Sequence, residues 1–305
     1  MRPIRGITYK LISVAVFIVM AALIKTIADT IPPGQTVFFR STLAVPVILI
    51  WLAWRRELHI GLKTRRPLAH FWRGLIGTGS MGLGFAGLSY LPLPEVTAIG
   101  YASPLLVVIL ASMFLGEEVR AFRLSAVAVG LIGVLIVLSP RLSVGTDVSH
   151  AQALGAVLVL FSALLAALSQ ITVRKLVMTE STASIVFWFF ITASGLSLLT
   201  VPFGWVMPDA RQAVTMVLIG ILGGLGQIFV TSSYREADAS LIAPFDYASI
   251  LLALAIGYWV FDEVPTVSML IGASIVVAAG IVIIWRERQL GIERAKQRKA
   301  MSPHG

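Results

Sequence analysis

Of the 305 residues, 57% are hydrophobic and only 13% are charged, and the mean hydropathy is +0.90. A soluble domain carries roughly 25% charge, so a water-surrounded globule is excluded and a chain built for lipid is expected. The absence of cysteine rules out a disulfide framework, a thiol nucleophile and a thiolate metal site, and the net charge of +9 is distributed as a topology signal rather than as a nucleic-acid footprint.

Met1-Arg2-Pro3-Ile4-Arg5 leads into a long apolar segment without a small-residue cleavage site, so no cleaved signal is expected. A membrane helix needs roughly 20 mostly apolar residues to cross about 30 Å of hydrocarbon. Ten stretches qualify, near 7–27, 35–54, 71–90, 94–115, 122–139, 152–173, 183–205, 213–234, 240–261 and 267–285. The second contains Arg40 and the ninth Asp246. Connections are mostly short and leave no room for a soluble domain. The expected fold is an all-α integral membrane protein.

Basic residues favour cytoplasmic loops. With the N-terminus inside, 20 of the 24 Lys and Arg residues fall on the cytoplasmic side. They include the flank Arg2, Arg5 and Lys10, the loop Arg55–Arg66, Arg73 at the start of the third helix, and six residues of the tail. Lys25, Arg141 and Arg211 lie near the other face, and Arg40 lies within the second helix. Ten crossings leave both termini cytoplasmic, with the tail 286–305 against anionic headgroups.

The chain repeats itself. Gly87–Val119 (GLSYLPLPEVTAIGYASPLLVVILASMFLGEEV) is echoed about 145 residues later by Ser232–Val264 (SSYREADASLIAPFDYASILLALAIGYWVFDEV). Both copies carry Ser-Tyr, then Tyr-Ala-Ser, then an acidic pair before Val. Each half, 7–139 and 152–285, holds five helices, an odd number. The second half must therefore enter the membrane upside down, as in secondary transporters whose site lies near the midplane at the repeat interface.

These marks carry a resemblance. Phe38-Phe39-Arg40-Ser41, Leu88-Ser89-Tyr90-Leu91-Pro92, Ala102-Ser103-Pro104-Leu105 and Leu115-Gly116-Glu117 stand in the first half. Ile242-Ala243-Pro244, Tyr247 and Phe261-Asp262-Glu263 stand in the second. Together they resemble the drug/metabolite transporter superfamily, specifically its ten-helix EamA-type family with two tandem repeats. The second half departs at Ile250, where Pro104 has no partner, and at Asp262, which replaces the usual glycine. The resemblance implies a carrier in the cell's inner membrane that needs no cofactor and works as a monomer or homodimer. Members move amino acids, riboflavin, S-adenosylmethionine and other small metabolites.

The third helix carries Gly74, Gly77, Gly79, Gly82, Gly84 and Gly87, and the eighth Gly220, Gly223, Gly224 and Gly226. Small residues let helices approach closely in lipid; they pack, leave room for cargo, or both. Pro104 and Pro244 each free a carbonyl that protein or water must satisfy, and either kink a helix or line a site. Ionisable groups inside the membrane are functional candidates by default, and Asp246, beside Phe245 and Tyr247, is the first of them, to exchange a proton or face a cation. Arg40 reads as a brace needing an acid such as Asp29 or Glu95. Glu95 suits the N-terminus of the fourth helix as a cap, with gating as its second role. Of the aromatics, Trp51, Trp54, Trp72, Trp205 and Trp285 sit near interfaces. Tyr101, Tyr247, Trp188, Phe245 and Trp259 are expected deeper, with the amides of Gln170 and Gln227. The candidate substrate contacts are Asp246, Tyr247, Tyr101, Trp188, Gln227, Pro104 and Pro244, with Arg40 and Glu95 structural or gating.

No Walker-type loop is present, so ATP-driven transport is unsupported. His59, His70, His150 and His304 show no metal-ligand spacing. A membrane enzyme would cluster nucleophile, base or metal ligands, and a channel a ring of charge; neither pattern is legible. The expectation is a secondary carrier driven by a proton gradient or by its cargo's own gradient. Deep aromatics point to a flat cargo of the riboflavin type, with amino-acid, S-adenosylmethionine or drug/metabolite export as the alternative.

Overall fold

Proline and polar caps decide where the helices begin. The computed structural model describes residues 3–115, 121–142, 150–176, 178–236 and 242–301, and every regular element among them is helical. α1 spans Pro3–Ile27 and α2 Pro33–Trp54; α3, a single turn at Leu58–Gly61, precedes α4 (Pro67–Tyr90) and α5 (Leu93–Gly100). In α2, α4 and α5 proline occupies one of the first two helical positions, where its missing N–H is not needed and its fixed φ suits the helix.

α6 (Ala102–Leu115) follows α5 after a break at Tyr101. Pro104 has no N–H to give the Gly100 carbonyl four residues back, and the Tyr101 N–H bonds Ala98 O at 3.3 Å. The stretch foreseen as one helix near 94–115 is thus two helices within one span. Next come α7 (Ala121–Leu142), α8 (His150–Leu176) and α9 (Thr182–Ser197), the last continued by a 3-10 segment at Leu198–Phe203. α10 (Ala210–Glu236) leads to a 3-10 turn at Ala243–Tyr247, then α11 (Ala248–Phe261) and α12 (Val267–Met301). The acidic mark Gly116-Glu117-Glu118-Val119 lies outside the described residues.

The later helices start on side-chain caps. Ser181 accepts from Ser184 N–H at 3.1 Å, and Thr266 accepts from Met269 N–H at 3.1 Å. Asp209 and Gln212 exchange hydrogen bonds of 2.7 and 2.9 Å with each other's backbone N–H, a reciprocal capping box.

Among the described residues, seven helical stretches are long and apolar enough to cross a membrane: Ile4–Ile27, Pro33–Trp54, Leu93–Phe114, His150–Val173, Ala183–Phe203, Ala210–Ser233 and Val267–Arg286. Leu124–Pro140 and Phe245–Phe261 are shorter and apolar. α4 has the length, 24 residues, but its six glycines and Arg73 dilute its hydropathy. Large apolar side chains such as Ile50, Leu135, Phe161 and Trp259 point outward, as a lipid-facing surface requires. Trp259, expected deep, is therefore on that outer surface.

Helix pairing has an internal counterpart structure. Aligned by the repeated sequence marks, α1 against α10 answers α8 against α4, and α2 against α10 answers α9 against α4. Likewise α6 against α8 answers α11 against α1, while α7 with α12 and α2 with α9 answer themselves. The glycines of α4 and α10 make these contacts possible. Gly87 abuts Val159, Gly74 abuts Thr192, and Gly224 lies under Val47. Ser80 and Ser162 donate to each other's carbonyls at 2.9 and 2.7 Å, tying α4 to α8 with no loose polar group. α7 and α12 touch backbone to backbone at Gly133 and Gly272.

Asp262 ends α11 with φ 54° and ψ 30°, the left-handed region that glycine occupies freely and aspartate tolerates.

A Cβ on Gly272 would stand 2.5 Å from the Gly133 carbonyl oxygen and 2.8 Å from Val137 N, whereas one on Gly82 meets nothing within 4 Å. Overpacking costs about 1–3 kcal/mol, and Gly→Ala in a helix otherwise stabilises by roughly 0.5–1 kcal/mol. Gly272→Ala should lower the unfolding temperature in detergent while Gly82→Ala leaves it equal or higher; equal effects would remove close approach as the reason for Gly272.

Candidate functional site

The break at Tyr101 and the 3-10 turn at Ala243–Tyr247 bring the repeated Tyr-Ala-Ser marks together. The Tyr101 and Tyr247 rings meet edge to face at 5.0 Å, and both side chains are buried. The Tyr101 hydroxyl donates to Asp246 O at 3.2 Å and meets the Ser249 hydroxyl. The Tyr247 hydroxyl lies against Gly280 of α12, where any side chain would displace it. Asp246 sits in the 3-10 turn ahead of α11, not within one regular helix as the ninth stretch, 240–261, led one to expect. Its carboxylate contacts Lys10 Nζ at 2.7 Å, with the lysine side chain 4% exposed and the aspartate 49%. Lys10, counted by sequence among the flanking charges, is buried within α1. A lysine and an aspartate in contact form a neutral unit that the membrane interior tolerates.

At the outer end foreseen for α1, Lys25 gathers four chain segments. It donates to Leu91 O at 2.8 Å and Leu88 O at 3.3 Å and pairs with Glu263 at 3.0 Å. Glu263 in turn accepts the Leu93 N–H at 2.9 Å, filling an open donor in the first turn of α5.

At the opposite end lies a cavity of about 710 Å³ whose lining includes Lys63, Arg65, Glu180 and Trp188. Glu180 accepts from Arg65 N–H at 2.8 Å and from the Thr64 hydroxyl at 3.1 Å, and it lies 3.9 Å from His70 Nε2. Burial opposes ionisation of Glu180, but these hydrogen bonds and the nearby His70 outweigh it and hold the carboxyl below its ordinary range.

Behind Trp188, between α2, α4 and α9, polar atoms go unanswered. Arg40 is 6% exposed, and its Nη1 donates to Met81 Sδ at 2.8 Å while its Nε has no hydrogen-bond partner. No acid among the described residues pairs with it, which corrects the expected brace to Asp29 or Glu95; Asp29 is exposed and Glu95 is buried in the first turn of α5. Arg73 stacks on Phe189 with 3.7 Å from Cζ to ring centroid, and Arg40 stands over Phe190 at 5.4 Å. Arg73 Nε and Nη1, Ser41 Oγ, Thr78 Oγ1, Trp188 Nε1 and both His70 ring nitrogens are buried without a hydrogen bond. Each unmet buried group costs on the order of 1–3 kcal/mol.

Of the sequence candidates, the structure joins Asp246, Tyr247 and Tyr101, and sets Trp188 and Arg40 beside a second cluster. Gln227 lies half-buried on α10, one turn beyond the Gly223 that packs on Arg40. Pro104 is exposed on α6, Pro244 lies in the 3-10 turn, and Gln170 is exposed and donates to Ser103 at 3.3 Å. Sequence reasoning passed over Lys10, Arg73 and His70 as boundary residues. The usable signal for Arg73 was its place one turn ahead of Gly77, since a long cation beside a missing side chain has room to lie inward.

Comparison with known proteins agrees in fold and family. The sequence profile of the EamA-like transporter family matches residues 4–139 and, a second time, residues 153–286. The chain is similar to a pseudopaline exporter of Pseudomonas aeruginosa, 28% identical over 282 residues, 91% of this chain and 95% of that protein. It is 30% identical over 228 residues to an S-adenosylmethionine uptake transporter of Rickettsia felis, 75% of each. A riboflavin transporter of Rhizobium johnstonii is 28% identical over 230 residues, 74% of this chain and 73% of that one. A solved crystal structure superposes with a TM-score of 0.64 at 19% identity, covering 93% of this chain and 98% of its own, a likeness of fold.

Breaking a buried pair from one side leaves a bare charge, whereas removing both partners does not. Lys10→Met should therefore lower the unfolding temperature in detergent more than Lys10→Met combined with Asp246→Leu; an additive pair would mean the two groups do not interact. For Glu180 the sign follows from its lowered carboxyl. Its contribution is present above 4.5, the ordinary glutamate value, and is lost as pH falls through the lower folded value. The stability gap between wild type and Glu180→Gln should thus be full at pH 7 and close on acidification; a gap independent of pH removes the carboxylate from the account.

Proposed function

The chain belongs to the EamA-like transporter family, and from that premise we propose that it is a secondary carrier of a small metabolite across the cell's inner membrane. In this reading ten helices cross the bilayer as two inverted five-helix repeats, with both termini cytoplasmic and the cargo held between the repeats. The observation that carries it is the exchange pattern of helix pairing between the halves: the packing of α1 and α2 on α10 is answered by that of α8 and α9 on α4. The family profile matching twice and the one-sided basic residues support it. A carrier also accounts for polar groups clustered between helices where, among the described residues, no group of His, Asp and Glu is placed to hold a metal ion.

For the cargo, the aromatic side chains at each cluster, Tyr101 with Tyr247 at one and Trp188 at the other, favour a flat heterocycle of the riboflavin type. The Lys10–Asp246 pair favours a second reading, an amino-acid-derived cargo such as S-adenosylmethionine. A half-exposed carboxylate beside a buried ammonium can exchange its partner for the cargo's own ammonium or sulfonium, and a proton can take the same place.

The test uses purified protein in liposomes, with labelled riboflavin, S-adenosylmethionine and an amino-acid mixture, with and without an imposed pH gradient. One cargo should show saturable uptake, and Asp246→Asn should reduce it about tenfold or more, as loss of a charged hydrogen-bond partner does. Uptake linear in concentration up to the solubility limit would point to a channel, and unchanged uptake in the variant would take Asp246 out of the mechanism.

Topology is testable directly because the chain has no cysteine. Single cysteines at His59 and at Asp209 should react with an impermeant maleimide from opposite faces, His59 from the cytoplasm. Labelling of both from one face overturns the proposed crossing number.

A further inference from the structure

We propose that Arg40 and Arg73 form the subsite that receives a carboxylate of the cargo, between α2, α4 and α9. The proposal rests on the carrier reading and narrows it to a metabolite that carries a carboxylate.

Among the described residues, every fully shielded side-chain nitrogen or oxygen without a hydrogen bond belongs to Arg40, Ser41, His70, Arg73, Thr78 or Trp188. All six residues stand on α2, α4 and α9. Elsewhere the same fold answers its buried cations, Lys10 with Asp246 and Lys25 with Glu263 and two carbonyls. A protein that satisfies its polar groups between other helices and leaves one cluster unmet has kept those groups for something that arrives.

The two guanidiniums converge. Arg73 runs along its own helix, and its Nη1 lies 2.6 Å from where a Cβ on Gly77 would stand, so Gly77 makes its room. Arg40 reaches across from α2 to Met81, one turn farther along α4. Arg73 stacks on Phe189 and Arg40 stands over the neighbouring Phe190 ring at 5.4 Å. Stacking occupies the face of a guanidinium and leaves its edge N–H groups in plane, the arrangement that grips a carboxylate with two parallel hydrogen bonds. The Ser41 and Thr78 hydroxyls supply further donors next to Arg40 and beside Gly77. Two cations in this position repel each other, and an anion between them removes that repulsion as well as filling the unmet donors.

The nearest cavity shares Trp188 with the cluster and is lined by neither Arg40 nor Arg73. Trp188, with its Nε1 unmet, also lines the 710 Å³ cavity, where Lys63 and Arg65 add positive charge to the wall. Glu180 lies in the same wall but is already engaged by the Arg65 N–H and the Thr64 hydroxyl, and a neutral heterocycle would leave both guanidiniums unsatisfied. The class that fits is a small metabolite with at least one carboxylate and an apolar or aromatic body for Phe189 and Trp188.

The experiment measures unfolding temperature of the purified full-length protein in detergent for wild type, Arg40→Met, Arg73→Met and Arg73→Lys. Probes are glutarate, S-adenosylmethionine, decarboxylated S-adenosylmethionine, riboflavin, inorganic phosphate and phosphatidylglycerol in the micelle. Without probe, the methionine variants should unfold at or above the wild-type temperature, since an unmet buried charge has been removed. A fall of several degrees, or failure to fold, makes the arginines structural and overturns the proposal. With probe, glutarate and S-adenosylmethionine should raise the wild-type temperature, and the methionine variants should bind them about tenfold more weakly or worse. Arg73→Lys, which keeps the charge and loses the fork, should fall between. Absence of a shift with both carboxylate probes overturns the proposal. So does an equal shift from the decarboxylated compound or riboflavin, or a shift from phosphate or phosphatidylglycerol alone. Saturable riboflavin flux beside a failed carboxylate series sinks this subsite and leaves the carrier standing. Arginine-dependent binding without saturable flux of the carboxylate that binds does the reverse.

Discussion

In hydrocarbon nothing outside the protein can accept a hydrogen bond or neutralise a charge, so each polar side chain between these helices is met by the chain itself or by what it binds. The chain obeys this constraint by local pairing. Ser80 and Ser162 serve each other, Thr42 meets Ser194 at 3.0 Å across α2 and α9, and Lys25 holds three helix ends through Glu263 and two carbonyls. Because pairing of this kind is short in reach, it dictates how near the helices lie, and hence where glycine stands. The close contacts of α4 with α8 and α9, and of α10 with α1 and α2, follow from the need to bring small polar groups within hydrogen-bond range where lipid supplies no hydrophobic drive between helices.

The same constraint separates two kinds of polar cluster. Lys10, Asp246, Tyr101 and Ser249 form a closed set at the meeting of the two repeated Tyr-Ala-Ser marks. The set around Arg40 and Arg73 is open, with Phe189 and Phe190 beside the cations and, among the described residues, no acid paired with them. A closed set lends rigidity and can still trade partners; an open one is stable only where other contacts in the fold outweigh its cost. In a marginally stable protein such a cost persists at sites of function more readily than in plain packing.

Much of this was legible in the chain. Long uncharged stretches bounded by proline gave the helices, because a bilayer fixes their length. The repeated marks hold Tyr101 and Tyr247, whose rings the structure brings together, and Asp246 stood out beside them as a costly group. What escaped was partnership. Lys10 and Arg73 look like flanking charges, since a rule based on loop charge assigns any basic residue near a helix end to the surface. Only the packed structure shows that Lys10 turns inward to Asp246 and that Gly77 lets Arg73 lie along its own helix. Arg40 was read as a brace because a buried charge is expected to have an acid, and α2 places none within its reach. The helix foreseen through 240–261 is instead a 3-10 turn at Ala243–Tyr247 and a shorter helix from Ala248, a break that the apolar run does not announce.

One small feature alters how the repeat should be read. The second copy closes on Asp262-Glu263, apparently a pair of acids standing for a pair of acids. Asp262 is exposed, however, and holds a left-handed backbone in which an extra carboxylate is incidental, while Glu263 binds Lys25 and the start of α5. The position preserves a bend rather than a charge. Along a lineage, drift at Asp262 is bounded by conformation, toward glycine or asparagine, and drift at Glu263 is bounded by chemistry. Neighbouring letters that look alike answer to different kinds of selection.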